Sequence, residues 1–498
     1  MPPSFVPMRA ATDAQPDAGA DFRLALGGHT LSIAPWGDRT LAIRLEGAEP
    51  LPHSPAVLEA PPRGALAVTA VPGGWRVAVA GLALRVQADP LCLAWETPEG
   101  LPVWGPVAVG TREGQLTLAG ALLPQDGCFG LGEKPGYLDR RGRAYTMWNT
   151  DHSGIHSEVD DRLYQSIPFL LTRHEGRHAG FLFDDPGRAR FDLGASDPAA
   201  WRYEADGPGL RLFAVAGPAM ADVVAGYADL TGRMALPPLW ALGFHQSRWS
   251  YPSREAVESI ASEFRARRIP ADVLHIDIDY MDAYKVFTWS PERFPDPADM
   301  LDGLRAQGFR AVTIVDPGVK AEPGYAPHDE AVARGLVVRD AAGQPLRGEV
   351  WPGDCVFPDF TRPDARRWWG DWHAGLLDLG IAGIWCDMNE PSLFKPAGTP
   401  YEARTMPDDA LHGEPGAEVP HRTVHNLYGF GMSQATREGL LRLRPDERPF
   451  VISRAGYAGI QRHAMVWTGD NQSMWSHLEM SLPMNLNLGL SGVAFVGP

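Results

Sequence analysis

Val273-Leu-His-Ile-Asp-Ile278 is a short, nearly continuous apolar run that closes on acids, with Asp277 and Asp279 either side of Ile278. A β-branched run of this length reads as a strand covered on both faces. Helical signals bracket it. Upstream, Ser253 can cap a helix whose apolar positions Val257, Ile260 and Phe264 share one face. Downstream, Met300, Leu301 and Leu304 fall at helical spacing, and Gly308 suits the C-terminal cap. The next strand is Ala311-Val-Thr-Ile-Val315, followed by a long loop and a helix carrying Trp368, Trp369, Trp372 and Leu376. Leu242-Gly-Phe-His245 before this stretch, and Gly383-Ile-Trp-Cys386, Phe450-Val-Ile452, Met465-Val-Trp467 and Gly492-Val-Ala-Phe-Val496 after it, bring the strands to seven. Strands alternating with helices predict an α/β fold over 235–498, a (β/α)8-type barrel rather than an open sheet. The chain stops just after the seventh strand, so the barrel is expected to be C-terminally incomplete.

Working toward the N-terminus, the texture changes. Between Phe22 and Phe213 the runs are short, alternating and broken by Gly, Pro and Asp, as in Thr40-Leu-Ala-Ile-Arg-Leu45, Ala67-Val-Thr-Ala-Val71 and Trp75-Arg-Val-Ala-Val-Ala80. This predicts an N-terminal antiparallel β-sandwich over 1–234. A length of 498 residues predicts two or three domains, and 44% hydrophobic with 21% charged residues is ordinary for a folded protein. A formal net charge of −16 argues against a nucleic-acid partner. No apolar run reaches a membrane-spanning length, so no membrane partner is expected. The first twenty residues lack a basic start followed by an apolar core, and the four cysteines (Cys92, Cys128, Cys355, Cys386) show no metal-like spacing. Reduced thiols in a cytoplasmic protein are the expectation.

In a β/α barrel the reactive groups sit where strands end. Asp277 and Asp279 follow the second strand, Asp387 follows Cys386, Arg454 follows Ile452 by two residues, and Asp470 lies just beyond Trp467. Asp at a turn is common, and solvated strand-end charges are the bland alternative. Convergence of acids from three strand ends and an arginine on one barrel mouth favours chemistry. Cleaving an acetal requires a proton for the leaving oxygen and stabilisation of an oxocarbenium-like centre, and two carboxyl groups roughly 5 Å apart supply both. Arg454 can keep one carboxylate charged or hold a sugar hydroxyl, while Trp351, Trp385 and Trp467 can wall the pocket.

At these residues the sequence resembles glycoside hydrolase family 31, especially its α-glucosidases. Gly383-Ile-Trp-Cys-Asp-Met-Asn-Glu-Pro-Ser392 is similar to the family's nucleophile signature, which implies attack by Asp387 and places Met388 in the substrate site. Trp467-Thr-Gly-Asp-Asn471 resembles the acid/base signature and implies Asp470. Ser453-Arg-Ala-Gly456, His275-Ile-Asp-Ile-Asp-Tyr-Met-Asp282 and Val350-Trp-Pro-Gly353 imply substrate contacts from Arg454, Asp277 and Trp351. Met147-Trp-Asn-Thr-Asp151 resembles a loop that carries Asp151 from the sandwich to the active site. The resemblance implies a retaining, exo-acting α-glucosidase that removes terminal α-linked glucose from malto- or isomalto-oligosaccharides and needs no metal or organic cofactor. The α-xylosidase branch carries Lys-Thr-Asp-Phe-Gly-Glu where this chain has Trp-Cys-Asp-Met-Asn-Glu, which favours glucosides. An α-glucan lyase on the same scaffold stays open, as does assembly into a homo-oligomer. The family continues into a further strand-end acidic segment, a substrate-binding histidine and C-terminal β-domains. A chain ending at Pro498 is therefore expected to be poorly active.

Rival patterns are weaker. His174-Glu-Gly-Arg-His178 has zinc-protease spacing, but Gly176 sits between two apolar runs that read as a hairpin. His152 and His156 are also four apart, with Ser153-Gly154 between them predicting a loop. Asp277-Ile-Asp279 could share an ion in a metal-dependent glycosyltransferase, because alternate residues of a strand share a face. No Gly-rich phosphate loop accompanies it. A non-catalytic sugar-binding protein would be marked by loss of Asp387 or Asp470, and both are present.

Overall fold

The computed structural model describes residues 5–10, 17–18, 21–59, 64–207 and 209–498. They form two compact units, the first comprising the described residues up to 233 with 457–461 and 470–498, the second 234–456 with 462–469.

Two antiparallel sheets make up most of the first unit. One runs Arg143–Met147, Ala189–Leu193, Ala200–Ala205, Gln115–Ala121, Pro102–Arg112, Leu91–Glu96, Leu82–Ala88, Gly74–Val79 and Ala67–Val71, with Val6–Pro7 paired to Pro102–Arg112. The other runs Gly127–Gly132, Ser166–His174, Arg177–Phe183, Leu210–Gly217, Thr40–Glu46, His29–Gly37, Phe22–Leu26 and Asp17–Ala18. Period-two patterning places one face inward: Phe22, Leu24 and Leu26 are buried while Arg23 and Ala25 face out. Ile33, Ile43, Phe181 and Leu212 from one sheet join Leu84, Val107 and Leu118 from the other in a single core. Each such side chain contributes about 1.5–3 kcal/mol on burial. The zinc-like pattern lies in a hairpin, as its sequence suggests. His174 pairs with Arg177 across Glu175 and Gly176, both at positive φ, which is the geometry of a tight two-residue turn. His174 Nδ1 lies 2.8 Å from Asp126 Oδ1.

In the second unit, His245–Gln246, Val273–Ile276, Arg310–Val315, Gly383–Cys386, Val451–Ser453 and Met465–Trp467 form a parallel sheet in chain order. This is a half-barrel, consistent with an incomplete barrel. Helices lie between successive strands: Arg254–Ala266, Pro297–Ala306, Pro363–Trp372 with Ala374–Leu379, and Tyr428–Leu443. Ser253 Oγ accepts from the Ala256 amide at the start of the first. Gly308 adopts φ +86° just past the second, where a side chain would be strained. Among the described residues no helix is long and apolar enough to cross a membrane.

Two expected strands are corrected. Leu242–His245 is not a buried strand: Leu239–Leu242 closes a 3-10 turn, pairing begins only at His245, and Leu242 and Phe244 are 61% and 52% exposed. Pro237 and Pro238 set this geometry, since neither can donate to a ladder and both fix φ. Gly492–Val496 likewise shrinks to Val496–Gly497, because Gly492 turns the chain at φ +92°. A Cβ there would lie 2.8 Å from the Tyr227 ring.

The segment joining Cys386 to the helix at Tyr428 is pinned by a buried chain of rings. His412 Nδ1 lies 3.2 Å from Asp359 Oδ1, His412 Nε2 lies 2.9 Å from His421 Nδ1, and His421 Nε2 lies 2.8 Å from His425 Nδ1. Burial pushes the Asp359 carboxyl up, but His412, the Thr361 hydroxyl and the Gly413 amide outweigh it and hold it at about 2. An ionised carboxylate only accepts, and a neutral imidazole donates from one nitrogen and accepts at the other. Asp359 therefore sets Nδ1–H on all three rings when they are neutral. We predict that Asp359→Ala costs about 3 kcal/mol, read as lost hydrogen-exchange protection over residues 410–425. With the folded carboxyl depressed from 3.8 to about 2, this stabilisation is present above pH 4 and fades as the pH falls toward 2.

Candidate active site

Three acids follow the ends of neighbouring strands in the second unit: Asp277 after Val273–Ile276, Asp316 after Arg310–Val315, and Asp387 after Gly383–Cys386. Register keeps the last two level, since Val315 pairs with Cys386. All three are buried, so these are not solvated turn residues. Asp277 Oδ1 accepts from the Ile278 amide at 2.7 Å, and Asp387 Oδ1 accepts from the Met388 amide at 2.8 Å. Met388 is itself at φ +55°. The backbone turns sharply directly after the acid, and its first N–H steadies the carboxylate.

Arg454 completes this group. Cys386 pairs with Ser453, so the residue after each strand end stands beside the other. Arg454 Nε is 2.9 Å from Asp387 Oδ1. Its fork also grips Glu390, with Nε donating to Oε1 at 2.8 Å and Nη2 donating to Oε2 at 2.9 Å. Nη2 is 3.4 Å from Met388 Sδ. Arg454 and Glu390 are each only 1% exposed, so two anions share one cation away from bulk water. Asn389 ties the same turns together: its Nδ2 donates to Ser453 Oγ at 3.0 Å and its Oδ1 accepts from the Ala455 amide at 3.0 Å.

Aromatic rings surround these strand ends. Trp385 and Trp467 meet edge to face, 5.2 Å between centroids, and His275 packs against Trp385 at 5.8 Å. Burial pushes His275 down to about 3, so its ring is neutral. The buried Trp385 indole N–H has no hydrogen-bond partner among the described residues. Trp351 stands at the tip of the hairpin formed by Gly348–Val350 and Gly353–Val356, with Trp249, Tyr284 and Phe394 around it.

The acid-x-acid pair is corrected. Asp277 and Asp279 do not share a strand face, because the strand ends at Ile276 and Ile278–Tyr280 is a 3-10 turn. Asp279 bonds Arg293 at 2.9 Å and Ser250 Oγ at 2.5 Å.

The first unit carries Asp151 and Asp470. Asp151 ends a firmly held loop. The Thr150 amide donates to Leu163 O, Asn149 Oδ1 accepts from the Ser166 amide, and the Arg188 guanidinium lies 4.1 Å from the Trp148 ring centroid. Behind it, buried Lys134 donates to the carbonyls of Thr146 and Asp161, at 2.7 and 3.2 Å, and burial lowers it to about 8. Asp470 follows Gly469, which takes φ +71°, and precedes the helix Trp475–Leu490.

Sequence reasoning did not single out Glu390, Asn389 or Asp316. Asp316 carried the same signal as Asp277 and Asp387, an acid directly after an apolar run. Glu390 did not, because its role comes from a partner distant in the chain.

The model of the Glycosyl hydrolases family 31 TIM-barrel domain matches residues 234–498, and that of the Glycosyl hydrolase 31 N-terminal galactose mutarotase-like domain matches 38–192. "Alpha-glucosidase 2" of Bacillus thermoamyloliquefaciens is 46% identical over 388 residues, 78% of this chain and 48% of that protein. An α-glucosidase of Saccharolobus solfataricus is 36% identical over 383 residues, 74% of this chain and 55% of that protein. The chain thus spans about half the length of these curated relatives. Among solved structures, a Flavobacterium johnsoniae family 31 dextranase complexed with glucose superposes with a TM-score of 0.87 at 26% identity, over 99% of this chain and 61% of that one.

The shared cation yields an unequal pair of mutants. Glu390→Met leaves Arg454 paired with Asp387, whereas Arg454→Met takes the shared cation from two buried carboxylates. We predict that Arg454→Met costs about 3–5 kcal/mol and Glu390→Met distinctly less, measured by thermal or urea unfolding.

Proposed function

The chain belongs to glycoside hydrolase family 31, and we propose that it cleaves terminal α-linked glucose from oligosaccharides with retention of anomeric configuration. One observation carries this reading: Asp387 is held at a strand end in contact with Arg454, which is itself locked by Glu390. That arrangement presents an ionised, oriented carboxylate, which is what a nucleophile at an anomeric carbon requires. The α-glucosidase relatives support the choice of glucose.

In the first step an Asp387 oxygen bonds to the anomeric carbon, the bond to the leaving oxygen breaks, and Asp470 delivers its proton to that oxygen. In the second step Asp470 takes a proton from water, the water oxygen bonds to the anomeric carbon, and the Asp387 ester bond breaks. Atoms and charges balance, and both carboxyl groups return to their starting forms. Asp151, Asp277, Trp351, Met388 and Arg454 grip the sugar. Trp385 and Trp467 wall it, and the Trp385 indole N–H is a donor for a sugar hydroxyl. The acidic chain suits a neutral substrate.

The test uses the protein in the full length that its gene encodes. A 5-fluoro-α-glucosyl fluoride is expected to label the peptide carrying Asp387, read by mass spectrometry after proteolysis. Asp387→Ala should lose at least about 10³-fold in kcat/KM on aryl α-glucosides. Asp470→Ala should lose most on poor leaving groups, because a good one needs little protonation. Labelling elsewhere, or near-normal turnover by both variants, overturns the assignment. An unsaturated or anhydro sugar in place of glucose would identify elimination, and faster turnover of aryl α-xylosides would move the substrate class.

A further inference from the structure

Tyr164 is completely buried, and its hydroxyl joins the two segments of the first unit that bear on the proposed chemistry. It donates to the His152 carbonyl at 2.8 Å, one residue past Asp151. It accepts from the Asp470 backbone N–H at 3.4 Å. The proton count is consistent. His156 Nε2, 2.8 Å from the same His152 carbonyl, also donates to it, and that oxygen has two lone pairs. The Tyr164 oxygen gives its only proton to His152 and keeps lone pairs for Asp470. Its ring is fixed independently, in a small core with Leu163, Met480 and Met484. Those two methionines belong to the helix that follows Asp470, so ring and hydroxyl hold the same segment at two points.

We propose that Tyr164 is a positioning residue for the acid/base carboxyl, its hydroxyl setting the Asp470 backbone relative to the Asp151 loop. This rests on the proposed role of Asp470. A general acid acts only when its proton lies in line with the leaving oxygen, and a displacement near 1 Å can cost up to about 10²-fold.

Tyr164→Phe keeps the ring and removes only the hydroxyl, so the methionine packing survives. Its kcat/KM should be measured on aryl α-glucosides whose leaving groups span a range of pKa, beside wild type and Asp470→Ala. The expected result is a loss of about tenfold or more on the poorest leaving group and under about threefold on the most activated one, with a steeper leaving-group dependence. A merely structural role would lower all substrates by one factor and leave the slope at the wild-type value, which would overturn the proposal. If Asp470→Ala itself shows the wild-type slope, the reading of Asp470 fails instead. A melting temperature and circular dichroism spectrum measured alongside separate misfolding from misplacement. Should the variant misfold, His156→Phe, which removes the second donor on the His152 carbonyl, must steepen the same slope for the proposal to stand.

Discussion

The second unit is organised around one guanidinium between two carboxylates. Arg454, Asp387 and Glu390 are withdrawn from water, and ions of that kind are stable there only when every charge finds a partner at contact distance. Much of the local architecture follows from that demand. The Gly383–Cys386 and Val451–Ser453 strands must be adjacent and in register, the turn after Asp387 must reverse at Met388, and Asn389 must bond both turns. Even Gly429 fits this demand, since a Cβ there would lie 2.6 Å from the Ala455 carbonyl and 2.8 Å from that of Asn389. A site of this stiffness suits chemistry in which a carboxylate must stay ionised and aimed while a neutral sugar is bound.

Legibility in the sequence followed the range of the interaction. Ser253, Gly308 and the Glu175-Gly176 turn act within a few residues, and their roles could be read directly. Strand ends were legible because an acid closing an apolar run breaks the pattern, a signal that Asp277 and Asp387 share with Asp316. Glu390 was hidden by distance, since the arginine that explains it lies 64 residues on. Leu242 to His245 misled because apolar character does not separate a strand from a 3-10 turn after two prolines. Asp279 misled because alternation implies a shared face only while the strand continues, and it stops at Ile276.

The first unit gives the complementary lesson. Its sheets are ordinary, with alternating faces and one shared core, yet the polar ends of Lys134, Asn149 and Tyr164 are given over to backbone atoms. A loop held through its own carbonyls and amides keeps its shape without secondary structure. That explains how a stretch such as Met147–Asp151 can keep a fixed course with only its first residue in a strand.

The membership of residues 470–498 has a consequence for how such a protein can be reshuffled. Gly130 donates its amide to Asn487 Oδ1 and Gly132 donates to Ser491 Oγ, both buried, so an N-terminal strand depends on residues encoded 357 and 359 codons later. A recombination breakpoint at 233/234 would exchange one half of these contacts without the other. Viable chimeras should therefore inherit the start and the tail from one parent and take only the intervening gene segment from another.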